Sequence, residues 1–246
     1  MPKFYFSPSQ KDGEKVVFFG EEFHHIIHVH RFRVGDRIES MDGEGNSYKL
    51  ELCKILTNSV EAKIIRACQQ TCESKLDIRL FQAIPKKRGM DLVIQKGTEL
   101  GINTVIPLIT TYMVGNRDPV ALLKYRQRWQ TIAKEAAKQC GRSVIPQVGT
   151  PLDVFAIEPF QDKECLQFAL HEKSMIPFSA MIKKTHNAKT IRFAVGPEGG
   201  FDTKEIDHLS RSGFSITNFG KRILRTETVG LVVTAVLQYI YGDLGE

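Results

Sequence analysis

Cysteine and long apolar runs are both scarce in this sequence. Its 246 residues contain five cysteines, at positions 53, 68, 72, 140 and 165, which are too few and too scattered for a disulfide framework and indicate a reducing cytoplasm. The longest strongly apolar stretch, 229–241, is interrupted by Thr234 and Gln238 and falls short of the roughly 20 residues that span a bilayer. The opening MPKFYFSPSQ has no apolar h-region, so no secretory signal is expected. We therefore expect a soluble cytoplasmic protein.

Several catalytic fingerprints are missing as well. No G-x-G-x-x-G follows a predicted strand, and no G-x-x-x-x-G-K-[ST] occurs. These absences argue against a dinucleotide-dependent dehydrogenase and a P-loop NTPase. The G-x-S-x-G nucleophile elbow of serine hydrolases is also absent.

Positive charge is concentrated in the middle of the chain. Residues 73–150 hold 13 basic and 6 acidic side chains, a net charge of +7, whereas 1–72 are neutral and 151–246 carry −1. Clustered positive charge favours polyanionic partners through counterion release. A solvated helix surface rich in Lys and Arg explains the same charge equally well, so both interpretations stay open.

The first 72 residues predict a small barrel-like β domain. Glycine-rich turn residues at 42–46 separate two strands, the second of which alternates through Tyr48, Leu50 and Leu52. VEAKIIRA predicts a third strand, and EEFHHIIHVHRF before them a short helix. The polar segment 69–74 lacks periodicity and predicts the linker to the next domain.

From Leu76 onward, strands and helices alternate. Asp118 is expected to cap a long helix, and Asp202 with Glu205 forms the pattern of a capping box. The alternation predicts a parallel α/β sheet with helices on both faces. The predicted strands are DIRLFQAI, NTVIPLIT, CLQFALHE, IRFAVGP and FSITNFG. The predicted helices are MDLVIQKGTELG (ending at Gly101), the helix after Asp118, a helix near 176–184, the helix after Asp202, and 227–241. The helix after Asp118 carries an apolar stripe formed by Trp129, Ile132, Ala133, Ala136, Ala137 and Cys140.

The last predicted helix is apolar around nearly its whole circumference. Such a helix must be buried on all sides. Burial inside one subunit and burial in a subunit interface both satisfy that requirement.

Ligands of open α/β sheets bind beyond the carboxyl ends of the strands, and three predicted strand ends carry unusual loops. CLQFAL leads into His171-Glu172-Lys173, IRFAV into GPEGGF at 196–201, and FSITNF into GKRILRTET at 220–228. The glycines permit close backbone approach to a ligand. A tight turn before a helix is the simpler explanation of GPEGG taken alone.

Four histidines lie close together in the N-terminal part, and His24 and His28 share a helical face. Zinc requires further ligands, and the cysteines at 68 and 72 form no recognisable set with these histidines, so we expect no metal. With Arg31 and Arg33 following, contact with a polyanion suits this face better, and a solvated surface is the alternative.

The ordered combination of these motifs resembles the RsmE family, the 16S rRNA (uracil-N3)-methyltransferases of the SPOUT class. AVGPEGGF and, about twenty residues later, FGKRILRTETV before an apolar final helix carry the resemblance. Three supporting elements precede them in order: HHI…VxRFRVGD, IQKGTELGINTVIPL, and RWQTIAKEAAKQCGRSVIP.

The resemblance implies a fold that general topology rules would not offer, because knots are essentially absent from most proteins. Residues 1–72 would form a PUA-like RNA-binding β-barrel domain, and 73–246 a SPOUT methyltransferase domain with a C-terminal trefoil knot. Family members bind S-adenosylmethionine in that knot and act as homodimers. The implied cofactor-binding residues are Leu170, His171, Glu172, Val195, Gly196, Pro197, Glu198, Gly199, Gly200, Phe219, Gly220, Ile223, Leu224, Arg225 and Thr226.

The reaction implied by the resemblance transfers a methyl group to N3 of one uridine in 16S rRNA. Glu198 and Glu227 are the candidate bases, and Arg225 is the candidate for stabilising charge on the uracil oxygens. The structural alternatives are a helix-dipole role for Glu227 and a pairing of Arg225 with either glutamate. The candidate RNA-binding residues are Lys3, Arg31, Arg33, Lys87, Arg88 and Arg142.

Two other functions stay open. One is methyl transfer to another RNA such as tRNA. The other is a non-enzymatic RNA-binding factor in assembly of the small ribosomal subunit, against which the intact GPEGGF and RILRTET motifs argue.

Overall fold

The chain folds into two units. The computed structural model describes residues 2–68, 72–160, 162, 164–183, 185 and 187–245. The first unit comprises Met1–Glu73 and Lys134–Ile145, and the second comprises Ser74–Ala133 and Pro146–Glu246. Part of the predicted linker, 69–71, and the last residue of the helix predicted near 176–184 lie outside the described residues. The domain boundary between 72 and 73 stays a prediction.

The first unit is built on a six-stranded sheet. Its strands occur in the order β1-β4-β5-β6-β3-β2, and all neighbours are antiparallel except β1 and β4. The three strands predicted from the sequence correspond to β4, β5 and β6, whereas β1, β2 and β3 were not predicted. The strands are β1 (Lys3–Tyr5), β2 (Lys11–Asp12), β3 (Lys15–Phe19), β4 (Arg37–Met41), β5 (Ser47–Ile55) and β6 (Ser59–Cys68).

Alternation of apolar residues explains how this sheet forms a core. Leu50 and Leu52 point to the same face of β5 and are buried with Phe4, Phe18 and Ile38. The predicted helix is present as α1 (Gly20–His24), which continues directly as a turn of π-helix, His25–Val29.

The segment 134–145 belongs to the first unit through buried polar contacts. The Lys138 ammonium binds the Glu22 carboxylate at 2.8 Å, and Lys3 donates to the carbonyl of Gly141 at 2.7 Å. The Arg142 guanidinium, only 4% exposed, pairs with Glu73 at 2.9 Å. Because each charge meets a partner, these groups are buried without being left unsatisfied.

The second unit alternates strands and helices as predicted. Its strands are β7 (Asp77–Ala83), β8 (Thr104–Ile109), β9 (Gln147–Val148), β10 (Leu152–Asp153), β11 (Cys165–Leu170), β12 (Thr190–Val195) and β13 (Ser215–Thr217). Its helices are α2 (Gly89–Glu99), α3 (Pro119–Cys140, which ends in the first unit), α4 (Phe178–Lys183), α5 (Thr203–Arg211) and α6 (Thr226–Tyr241). No described helix is long and apolar enough to cross a membrane.

The sheet of the second unit runs β10-β8-β7-β12-β11-β13, with β9 beside β8, and every pairing is parallel. Successive residues of a strand face opposite layers: Leu80 packs with α2 and α6, and Phe81 packs on the layer that holds α5. The predicted parallel α/β class is therefore confirmed. The two-residue strands β9 and β10 were not predicted.

The helix ends follow the predicted local signals. Asp202 accepts from the Glu205 amide and Glu205 accepts from the Asp202 amide, both at 2.8 Å, so the capping box is present. Asp118 accepts from the Ala121 amide before α3. Gly101 ends α2 with a φ of 87°, a conformation that favours glycine.

The chain doubles back after β13, which lies at one edge of the sheet. Helix α6 does not continue outward from that edge but packs on α2 and β7, where Gly230 lies against Leu80. The connection 218–225 therefore crosses back over the ends of β11 and β12. A return of the chain of this kind is what the expected trefoil knot requires.

Helix α6 is only partly buried within one chain, so packing inside a single subunit does not by itself provide the all-round burial that its sequence predicts. Val233 and Leu237 are completely buried, whereas Val232, Tyr239 and Ile240 are 37%, 74% and 43% exposed. The buried residues face the sheet and α2. An apolar stripe of the helix consequently lies open on this unit.

Candidate active site

The three loops selected from the sequence meet at one edge of the second sheet. Strands β12, β11 and β13 are parallel neighbours, so their carboxyl ends lie side by side. The His171 amide donates to the carbonyl of Thr217 at 2.9 Å. The Thr226 hydroxyl donates to the carbonyl of Gly196 at 2.6 Å. Direct hydrogen bonds thus join the loop after β11 to β13, and the end of β12 to the start of α6.

Close backbone packing explains the glycines of the 196–200 loop. A Cβ on Gly196 would lie 3.1 Å from the amide nitrogen of Phe201, tighter than ordinary van der Waals contact. Gly200 has a φ of 72° and faces the carboxylate of Glu172, to which an added Cβ would come within 3.6 Å. The loop is therefore a compact turn, and it also lies against the loop that follows β11.

Gln82 is a site residue that sequence reasoning missed. It lies on β7, is completely buried, and donates from Nε2 to the Thr226 hydroxyl at 3.0 Å. Its Oε1 has no hydrogen-bond partner among the described residues and faces Gly230 of α6. A glutamine inside the apolar buried run 80–84 is the signal that would have found it.

His171 carries a second polar atom without a partner. Its Nδ1 is buried and makes no hydrogen bond to any described residue, and the nearest carboxylate oxygen, on Glu172, is 3.7 Å away. Buried polar atoms are normally satisfied. An unsatisfied ring nitrogen beside the glycine loop is therefore a natural contact for a bound ligand.

The remaining predicted cofactor residues surround these contacts to different degrees. Val195 and Pro197 are buried, and Leu170 and Phe219 are partly buried, with Phe219 packed edge-on against Phe178. Gly199 and Gly220 are exposed, Ile223 is 86% exposed, and Leu224 is intermediate.

The three candidate catalytic residues occupy distinct surroundings. Glu198 accepts a hydrogen bond from the backbone amide of Lys86 at 2.8 Å, so it links the glycine loop to the basic loop 86–88. The Arg225 side chain is 85% exposed, and its Nη1 lies 4.0 Å from Oε1 of Glu227. The two glutamates therefore have different partners: Glu198 holds the basic loop, and Glu227 lies beside the exposed guanidinium of Arg225.

The candidate RNA-binding residues divide into exposed and engaged groups. Lys87 and Arg88 are exposed in the second unit, and Arg31 and Arg33 are exposed in the first. Lys87 and Arg31 are the non-glycine residues with positive φ in the described structure, at 56° and 59°. Such conformations are uncommon for side-chain-bearing residues and occur often at functional sites.

Lys3 and Arg142 require a correction. The Lys3 ammonium donates to the carbonyl of Gly141, and the Arg142 guanidinium is buried against Glu73. Removing either from its partner would leave a buried acceptor or charge unpaired. Both residues hold the segment 134–145 in the first unit, and Arg142, at 4% exposure, does not present its charge to a polyanion.

The histidine-rich face carries rings that pack against one another in tilted and edge-on arrangements. The ring centroids of His24 and His28 lie 5.2 Å apart, and His30 packs edge-on against Phe4 at 5.7 Å. Among the described residues, no group of three or more His, Cys, Asp or Glu side chains is arranged to hold a metal ion.

Comparison with known proteins agrees with this arrangement. Residues 72–238 match the family described as RNA methyltransferase domain, and 20–65 match the RNA methyltransferase PUA domain. The chain is 32% identical over 228 residues to ribosomal RNA small subunit methyltransferase E of Bacillus subtilis, covering 89% of this chain and 88% of that protein. It is 27% identical over 243 residues to the protein of the same name from Buchnera aphidicola subsp. Acyrthosiphon pisum, covering 99% and 95%.

Similar proteins of known structure are also named as methyltransferases. The ribosomal RNA small subunit methyltransferase E of Neisseria gonorrhoeae, bound to S-adenosyl methionine, superposes with a TM-score of 0.88 at 30% identity over 99% of each chain. A putative methyltransferase of Legionella pneumophila in complex with the same cofactor gives 0.87 at 29% identity over 98% of each chain. The chain thus belongs to the RNA methyltransferase domain family and, within it, to the ribosomal RNA small subunit methyltransferase E proteins.

Proposed function

We propose that this protein transfers a methyl group from S-adenosylmethionine to N3 of a uridine in the 16S rRNA of the small ribosomal subunit. The observation that carries the proposal is the meeting of the loops 170–172, 196–200 and 219–226 at the carboxyl edge of the parallel sheet. Ligands of α/β sheets bind at this edge. Relatives with the same fold bind S-adenosylmethionine.

The residues present fit that cofactor. Gly196 and Gly200 allow the second loop to form a tight turn at the sheet edge, and the unpartnered Nδ1 of His171 offers a polar contact. When bound, S-adenosylmethionine supplies an electrophilic methyl group on a sulfonium. The three loops would hold it, with Thr226 fixing the position of the third loop against the end of β12.

The chain's own contribution to the chemistry lies at the start of α6. Methylation of N3 requires loss of its proton, and until the methyl group is transferred the deprotonated base carries negative charge on N3 and the neighbouring uracil oxygens. We assign proton removal to the carboxylate of Glu227 and stabilisation of the oxygen charge to Arg225, whose guanidinium is exposed. Glu198 is assigned to loop positioning, because its carboxylate accepts from the Lys86 amide.

We further propose that the protein acts as a homodimer in the cytoplasm, where small subunits are made. This proposal is supported by the exposed apolar residues of α6, which a second copy of the chain would cover: Val232, Tyr239 and Ile240. Exposed apolar patches of this kind mark interfaces. The first unit, with Arg31 and Arg33 exposed, is proposed to bind rRNA.

Incubation with methyl-labelled S-adenosylmethionine tests the function. Small subunits, naked 16S rRNA and tRNA would each be offered, followed by nucleoside analysis. Label in 3-methyluridine from either small-subunit sample is the expected result. Label only in tRNA would move the activity to another RNA, and binding to small subunits without any transfer would indicate an assembly factor.

A further inference from the structure

An aromatic side chain stands half-exposed beside the glycine loop. Tyr112 follows β8, whose carboxyl end lies on the same sheet edge as those of β7 and β12. Its side chain is packed on the backbone of Gly199: a Cβ added there would lie 3.2 Å from the Tyr112 Cβ and 3.4 Å from its Cγ. Tyr112 is nevertheless 52% exposed. The side chain is therefore supported by the loop and partly open to solvent.

The loop that carries this ring is fixed at several points. Arg117 donates from Nη2 to the carbonyls of Thr110 and Thr111 at 2.8 and 2.9 Å. The completely buried carboxylate of Glu205 accepts from the amide and the hydroxyl of Thr111 at 2.7 and 3.1 Å. Because charged hydrogen bonds fix the backbone immediately before Tyr112, little conformational entropy is lost there when a ligand stacks on the ring.

The chemistry of the proposed substrate calls for such a ring. N3 of uracil lies on the base-pairing edge, so the target base must leave its pair and its stack before N3 is reached. An extruded base regains stacking energy on an aromatic side chain, and this contact tolerates any base because every base has a π-face. Resting on the function proposed above, we propose that Tyr112 is the stacking platform for the target uracil.

Charge around the ring suits the rest of the nucleotide. The basic loop 86–88 follows β7, the strand next to β8, and its three side chains are exposed. Glu198 fixes this loop to the glycine loop through the Lys86 amide. Stacking surface and phosphate-binding charge are thus presented on one edge, the combination that binds unpaired nucleotides. The ligand class is an unpaired pyrimidine nucleotide of RNA.

Substitution of the ring separates stacking from folding. Tyr112→Ala should lower the single-turnover methylation rate on small subunits about tenfold or more, because stacking is lost. Its affinity for S-adenosylmethionine, measured by calorimetry, should stay within about twofold of wild type. Tyr112→Phe keeps the ring and should retain the rate, and Val120→Ala, at an exposed position on the first turn of α3, is the control. The stacking role of Tyr112 would be rejected if Tyr112→Ala methylated at the wild-type rate. It would also be rejected if the variant lost S-adenosylmethionine affinity by the same factor as it lost rate.

Photochemical crosslinking tests the contact without turnover. Small subunits reconstituted with 5-iodouridine in their rRNA would be irradiated with the protein, and crosslinked peptides mapped by mass spectrometry. A crosslink at Tyr112 is expected, and crosslinks confined to other residues would reject the proposal. Crosslinking through Tyr112 without any methyl transfer by wild-type protein would refute the proposed function and leave the platform standing, so the two failures are distinguishable.

Discussion

The hydroxyl of Thr226 links two segments that are far apart in the sequence. It donates to the carbonyl of Gly196 at 2.6 Å and accepts from the Gln82 amide at 3.0 Å. The three residues come from the end of β12, the start of α6 and the carboxyl end of β7. Through this contact the returning chain is fixed to the sheet where the proposed cofactor loops meet.

Thr226→Val should therefore weaken S-adenosylmethionine binding about tenfold, because the Gly196 carbonyl loses its donor. Thr234→Val is the matched control: Thr234 is also buried on α6, but its hydroxyl donates to Gly230 within the same helix. Calorimetry would compare the two variants, and circular dichroism would check that both are folded. Equal affinities would show that the contact does not position the loop.

The two candidate glutamates should respond differently to replacement by glutamine. Glu227→Gln should lower the single-turnover rate about 100-fold with unchanged cofactor affinity, since a positioned base contributes about 10²–10⁴-fold. Glu198→Gln preserves an acceptor for the Lys86 amide and should change the rate much less. Reversed effects of the two glutamine variants would exchange the proposed roles of the two glutamates.

Arg225→Ala should lower turnover without altering the salt dependence of RNA binding.

Neutralising Lys87 and Arg88 tests RNA docking separately from chemistry. Replacing both exposed residues with Gln should weaken rRNA binding and reduce the log–log salt slope by roughly 0.9 per lost duplex phosphate contact, or about 0.7 for single strands. Cofactor affinity should not change, because neither residue lies in the glycine loops. The measurement is RNA affinity as a function of salt concentration for wild type and the variant. An unchanged slope would show that Lys87 and Arg88 are ordinary solvated surface residues.

The exposed stripe of α6 allows a clean test of dimerisation. Val232→Glu with Ile240→Glu changes two exposed residues and should yield folded monomers by analytical ultracentrifugation. Leu237→Glu, at a completely buried position, should instead unfold the protein, because it places a charge in the core. A monomeric wild-type protein at micromolar concentration would contradict the proposed homodimer.

Alkaline pH should weaken the first unit through Lys138. Burial lowers the pKa of this lysine, but the hydrogen bond and charge of Glu22 outweigh burial, so the pKa is raised above the ordinary 10.5. The folded state then holds the proton more tightly than the unfolded chain. The stabilisation is complete below pH 10.5 and is lost as pH rises through the raised pKa.

Lys138→Met provides the comparison that isolates this group. The difference in urea midpoint between wild type and the variant should be largest near neutral pH and should shrink as pH rises above about 10.5. Other groups that titrate in this range, such as Tyr48 with its raised pKa, affect both proteins alike. If the difference in urea midpoint stays constant with pH, the Lys138–Glu22 ion pair is not its cause.

Local signals were sufficient wherever the structure depends on near neighbours. The capping box at Asp202, the glycine end of α2 and the buried stripe of α3 all form as the sequence predicts. Each involves contacts within one helix or turn, or a periodicity that only one secondary structure satisfies. The same reasoning selected the loops that meet at the sheet edge.

The roles of two basic residues could not be predicted from the sequence, because their partners are distant along the chain. Arg142 and Lys3 have the composition of RNA contacts, yet their partners Glu73 and Gly141 lie 69 and 138 positions away along the chain. No local pattern marks a charge as paired over such separations. The packing of segment 134–145 into the first unit decides the role of both residues.

The sequence by itself determined the α/β class, the alternation of the longer strands and helices in the second unit, and the glycine loops, because hydrophobic period and turn chemistry are local properties. Tertiary structure alone decided which polar groups meet: Gln82 with Thr226, Glu198 with Lys86, and Tyr112 with Gly199. It also decided that α6 buries one face and exposes another. Those outcomes depend on where the chain turns back across the sheet, which is set by the packing of the whole unit.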